Sequence, residues 1–190
     1  NRITNCFKLL LFYLQLYKLH LLLLSCYFDF FETASGNRGA TFDLWENIYS
    51  PNGNTNDVAT LQNHVDYPHA PSRNTVLRGF SNRDQSPGLD NYGGKIYGLF
   101  KIPKTGNYTF SFRSDDGGEL YISPNNDPKL AVSVYKTLHY SAAWVNVLST
   151  RRELVKDTEI YLELLYKEGN GGDFGEIGAS KLKNKIALII

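Results

Sequence analysis

The sequence predicts an all-β fold: a jelly-roll-like antiparallel β-sandwich or barrel, with a separate apolar segment at its N-terminus. Three observations predict it. Aromatic residues make up 14% of the chain, with 13 Tyr and 11 Phe, types that favour strands. From Gly36 onward Gly, Asn, Asp and Pro punctuate the chain at short intervals. Two stretches alternate with period two. Over residues 108–113, Tyr108, Phe110 and Phe112 share one face, and Thr109, Ser111 and Arg113 share the other. Over residues 159–167, Ile160, Leu162, Leu164 and Tyr166 read inward, with Glu163 and Lys167 outward. Strand side chains alternate between faces, so each pattern describes a sheet with one dry face. Many short strands, Gly/Pro turns and no strong helix make a sandwich or barrel.

The elements follow in order. Residues 1–36 are dominated by Leu, Phe and Tyr, with Lys18 between two apolar runs. A lysine centred in a span costs about 2.5–3.5 kcal/mol, which disfavours a stable crossing. Arg2 and Lys8 ahead of an apolar region, then Ala34-Ser35-Gly36, fit a signal peptide. A signal anchor and a non-native readthrough stand as alternatives. Residues 37–180 read as the domain. Within it, 40–48 read as strand or short helix, 51–56 as loop, 57–63 as a helical turn and 67–73 as extended by two prolines. Residues 83–94 read as loop. Residues 95–102, 108–113, 119–123, 129–135 and 159–167 read as strands. Residues 181–190 read as a tail or the start of a linker.

Composition excludes several functions. A chain of 190 residues with 42% hydrophobic content builds one domain with its own core. A net charge of +1 with scattered basic residues argues against nucleic-acid binding driven by phosphate neutralisation. A membrane enters only through residues 1–36, if the chain keeps them. Cys6 and Cys26 both lie in that segment, so the domain has no disulfide framework and no cysteine metal site. The sequence has no methionine, which points to a fragment, a processed form or a misassigned gene end.

No catalytic motif is present. There is no GxSxG and no HExxH, and His20, His64, His69 and His139 lack metal-ligand spacing. Asp173-Phe174-Gly175 spells a kinase triplet without its companion motifs. The glycine-rich run around it precedes no helix, so it is not a phosphate cradle. Nothing joins Glu163 and Glu168 into a glycosidase pair. Asn107-Tyr108-Thr109 is a glycosylation sequon, so Asn107 is a candidate attachment site if the protein is secreted.

The run SDDGGEL offers two readings. Asp115 and Asp116 place two hard oxygen donors at one point, as calcium requires, but they cannot complete six or more ligands alone. The loop KEGNGGDF, residues 167–174, offers Asn170, Asp173 and free carbonyls as the second contributor. Alternatively the aspartates are turn residues of a hairpin, accepting from nearby backbone N–H groups.

Five segments in chain order resemble one family. PKTGNYTFSFRSDDGGELYIS (103–123) is similar to the central signature of the protective-antigen, or "PA-fourteen", domain. LWENI (44–48), the YPHAP run at 67–71, DNYGGKIYGLFKIP (90–103) and YLELLYKEGNGGD (161–173) resemble its other conserved parts. The likeness covers about residues 36–180. That family occurs in anthrax protective antigen, yeast adhesins, glycosidases and fibrocystin-like receptors. The resemblance implies a secreted or cell-surface β-sandwich and does not imply one activity; the expectation is a non-catalytic module recognising glycans or glycoproteins. In adhesin members the aspartate pair binds calcium and the calcium binds sugar hydroxyls. By that likeness Asp115 and Asp116 are metal ligands, with Asn170 as the nearest counterpart of a third. Asp173 joins the candidate binding loop, and Tyr121 and Phe174 are candidate sugar-stacking rings. The competing expectation is a structural or protein-interaction domain with no sugar site.

Overall fold

Alternating segments become strands where a second layer covers their apolar face, and this chain supplies two such layers. The computed structural model describes residues 39–50, 56–141, 143–149 and 153–181. The predicted signal peptide or anchor and the tail after Lys181 lie outside these residues, as do residues 51–55 of the loop expected at 51–56. The described strands are β1 (Thr41–Trp45), β2 (Arg73–Val76), β3 (Tyr92–Lys101), β4 (Tyr108–Asp115) and β5 (Gly117–Ile122). They continue with β6 (Val132–Thr137), β7 (Val145–Ser149), β8 (Glu159–Glu168) and β9 (Phe174–Lys181). One short helix, α1 (Val58–Gln62), follows β1. Among the described residues no helix is long and apolar enough to cross a membrane.

The strands form a six-stranded sheet, β2-β1-β3-β8-β5-β6, and a three-stranded sheet, β7-β4-β9, with every pairing antiparallel. The core lies between them. Phe42, Ile96, Phe100, Leu120, Leu162, Leu164 and Tyr166 from the large sheet meet Tyr108, Phe110, Phe112 and Ile177 from the small one. Phe100 and Phe110 pack edge to face at 6.2 Å, the arrangement aromatic quadrupoles prefer. Asn82 ties the layers together. Its Nδ2 donates to Tyr166 Oη (2.7 Å), and its Oδ1 accepts from Gly175 N (2.7 Å).

The two alternating patterns sit as predicted on their dry faces, but β8 departs on the other. Lys167, expected outward, is fully buried. The cause is a second small cluster of Trp45, Ile48 and Leu61 on the outer face. Leu61 sits directly over Gly93, the register partner of Lys167; a Cβ at Gly93 would lie 2.6 Å from Leu61 Cδ1. α1 is held there by Asp57, whose carboxylate accepts from Ala59 N (2.8 Å).

Other expectations resolve locally. Residues 40–48 hold the strand β1, and residues 57–63 hold α1. Residues 67–69 turn rather than extend, because Trp45 Nε1 donates to Asp66 O (3.2 Å) and the Trp45 ring packs on Tyr67. The start of 129–135 is a 3₁₀ turn, Pro128–Leu130, capped by Asp127. The loop reading of 83–94 ends early, because Tyr92, Gly93 and Gly94 already belong to β3.

Candidate functional site

The SDDGGEL run is not a hairpin. β4 pairs with β7 and β9, whereas β5 pairs with β6 and β8, so the chain changes sheet at Asp116. Only Asp116 lies between the strands; Gly117 and Gly118 belong to β5. The Asp115–Asp116 peptide is cis. Gly118 leaves room for its neighbours, since a Cβ there would lie 2.5 Å from Ser114 Oγ and 3.0 Å from the Phe112 ring.

This crossing carries Asp115 and Asp116 to one end of the sandwich, beside the end of β8. Asp116 Oδ2 accepts from Asn56 Nδ2 (2.6 Å) and from Gly169 N (3.1 Å). Asp116 N donates to Lys167 O (3.2 Å), and Ser114 Oγ donates to Asp116 O (2.9 Å). The glycines of the loop after β8 leave room for the acids. A Cβ at Gly169 would lie 2.9 Å from Asp116 Oδ2, and one at Gly172 would lie 3.0 Å from Asp115 Oδ2.

A third carboxylate completes the cluster. One oxygen each of Asp115, Asp116 and Glu168 lie within 4.8 Å of one another. The aspartates are half-buried; Glu168 is fully buried, and neither of its carboxylate oxygens has a hydrogen-bond partner among the described residues. Burial, then Asp116 and Asp115, pushes the Glu168 carboxyl up to about 8. Burial, then Asp116, pushes Asp115 up to about 6, with Arg83 acting in the other direction. Lys167 is buried next to them and burial pulls its ammonium down to about 8. Its Nζ donates to the main-chain oxygen of Glu168.

The remaining predicted residues are placed as follows. Asn170 is exposed on the loop after β8, and its Oδ1 accepts from Asn91 Nδ2 (3.4 Å). Asp173 is buried, and its carboxylate accepts from Ser86 Oγ and from Gly88 N (3.0 Å), which fixes the 86–89 loop. Phe174 is 6% exposed, with the Arg83 guanidinium 3.9 Å from its ring centroid, so that ring face is covered. Tyr121 lies five residues beyond Asp116, about 16 Å along a strand. Gln62 Nε2 donates to its hydroxyl (3.0 Å), and burial, then Glu119, pushes that hydroxyl up to about 12. Asn107 is half-buried at the entry to β4.

Sequence reasoning missed Glu168, Asn56 and Tyr140. Glu168 had a readable signal: it continues the inward row Leu162, Leu164, Tyr166, where a carboxylate is out of place. Asn56, in a polar loop, had none. Tyr140 is 54% exposed, and its ring packs edge to face on Phe174 (6.2 Å), which pairs with Asp115. Ser141 N also donates to Ser114 O (2.9 Å), fixing Tyr140 beside the aspartates.

The residues fit a hard cation. Carboxylate oxygens converge at one point, and a buried carboxylate without partners is the group such an ion would compensate.

Comparison with known proteins agrees with this architecture. The PA14 domain family matches residues 44–171. Mouse N-acetyl-beta-glucosaminyl-glycoprotein 4-beta-N-acetylgalactosaminyltransferase 1 is 28% identical over 131 residues, 64% of this chain. The chain spans only 12% of that relative. Among solved structures, the PA14 sugar-binding domain from an RTX adhesin superposes with a TM-score of 0.53 at 13% identity. The match covers 76% of this chain and 90% of that one. The Candida glabrata Epithelial Adhesin 6 A domain, solved with Galβ1-3GlcNAc, gives a TM-score of 0.52 at 14% identity, covering 80% and 83%. The chain belongs to the PA14 domain family.

Proposed function

We propose that this chain is a non-catalytic, calcium-assisted carbohydrate-binding module, acting in adhesion or in targeting a larger protein to glycans outside the cell. The observation that carries the reading is the aspartate pair at the β4–β5 crossing, with the Asp116 carboxylate held by Asn56 and Gly169. Family membership and the sugar-binding adhesin domains of the same fold support it.

Asp115 and Asp116 would hold the cation, with the loop after β8 as the second contributor. When bound, calcium supplies coordination positions that vicinal sugar hydroxyls fill in place of water, since it takes six to eight oxygens. The chain's own residues do the rest. Asn56 and Gly169 fix the Asp116 carboxylate, and Gly172 admits that of Asp115. Tyr140 presents an exposed ring for the C–H face of a sugar. A secreted or cell-surface location suits such a site, because extracellular modules bind calcium with dissociation constants of about 10⁻⁴–10⁻³ M.

The test is a glycan array probed with the chain in calcium and in chelator, alongside Asp116→Asn. Binding that needs both calcium and Asp116 is expected. No glycan bound in calcium would overturn the reading in favour of a structural or protein-interaction domain.

A further inference from the structure

We infer that Glu168 is a third anionic ligand of the calcium site, so that the ion is anchored to the central strand of the large sheet as well as to the crossing loop. This rests on the proposed calcium-assisted function and adds a residue that the aspartate pair alone does not supply.

Geometry carries it first. Two oxygens on one calcium stand at most about 5 Å apart, twice the Ca–O distance of about 2.3–2.6 Å. Oxygens of Asp115, Asp116 and Glu168 all fall within 4.8 Å of one another. Orientation carries it next. Strand side chains alternate, so Lys167 points under Leu61 while Glu168 follows Tyr166 on the inner face. There it reaches the two aspartates at the end of the core.

Chemistry carries it furthest. Glu168 is fully buried with both carboxylate oxygens unpartnered among the described residues. The nearby cation Lys167 is directed to the main-chain oxygen of Glu168, not to its carboxylate. Buried polar groups are almost always satisfied, and a calcium ion is a group that would satisfy this carboxylate.

The experiment is calcium titration by calorimetry on the full chain, with thermal unfolding in chelator, for the parent, Glu168→Gln and Asp116→Asn. Glu168→Gln is expected to weaken calcium binding at least tenfold while unfolding in chelator at or above the parent temperature. Parental calcium affinity in Glu168→Gln would overturn the inference. Should that variant fail to fold, Glu168→Asp decides, because it keeps the charge but draws the oxygens back by one methylene. Weakened binding then supports the inference and unchanged binding overturns it. The two readings fail separately. If the parent binds calcium, Asp116→Asn does not and Glu168→Gln does, only the Glu168 assignment falls. If the parent binds none, both fall.

Discussion

Two halves of one strand face teach opposite lessons about burial. Along β8, Leu162, Leu164, Tyr166 and Glu168 share the inner face and are all fully buried. The first three meet an aromatic core, with Tyr166 stacked on Phe42 at 6.2 Å and hydrogen-bonded to Asn82 and Tyr92. Glu168 meets two more carboxylates. Burial removes apolar surface from water in one half and strips solvent from like charges in the other. Equal burial therefore stabilises one end and, without a counter-ion, destabilises the other. The fold holds the carboxylate end in place with the stability of the apolar end.

The largest expected effect tests the apolar half. Leu164→Ala should cost about 2–5 kcal/mol, from lost transfer energy and a residual cavity. Denaturant unfolding should show the same loss in calcium and in chelator. A cost that changed with calcium would break the separation of the halves. Asp116→Asn tests the charged half and should behave in the opposite way. The chain should unfold near the parent temperature in chelator, and calcium should no longer raise it. At 100 times the dissociation constant, that missing stabilisation is about 2.7 kcal/mol. An equal loss with and without calcium would return Asp116 to a purely structural part.

Two smaller effects sharpen the comparison. Asp57→Ala removes the cap of α1 next to Asn56 and should cost about 1 kcal/mol by unfolding. Calcium titration of the same variant should show affinity close to the parent's, since Asp57 does not touch the carboxylates. Tyr140→Ala should leave thermal stability almost unchanged, because the ring is mostly exposed. It should weaken glycan binding several-fold on the array at saturating calcium. Unchanged glycan binding would remove Tyr140 from the recognition surface.

The fold was largely legible because its strongest strands carry clean patterns. β4 and β8 alternate, and the aromatic runs around them sit where they were read. β2, β7 and β9 were missed. In β9, Gly175 and Gly178 dilute the pattern, and in β2 all four residues are exposed, so hydrophobic period carried no signal. The site was legible in its surface half only. Asp115 and Asp116 stand out as adjacent acids before two glycines. Their partner Glu168 lies more than fifty residues away in sequence and joins them only through the pairing of β5 with β8. The hairpin reading of the same run failed because strand pattern gives no information on which sheet a strand enters. Phe174 is a candidate stacking ring in the sequence alone, which does not show Arg83 lying over it.

The most direct test of the central claim, that this end of the sandwich is completed by a cation, is thermal unfolding of the full chain in calcium and in chelator. Near saturation the account predicts a rise of about 5–11 °C, from a stabilisation of about 2.7 kcal/mol at about 2–4 °C per kcal/mol. An unfolding temperature unchanged at about 100 mM calcium, 100 times a dissociation constant of about 10⁻³ M, would contradict it, and the three carboxylates would then be held together by the fold alone.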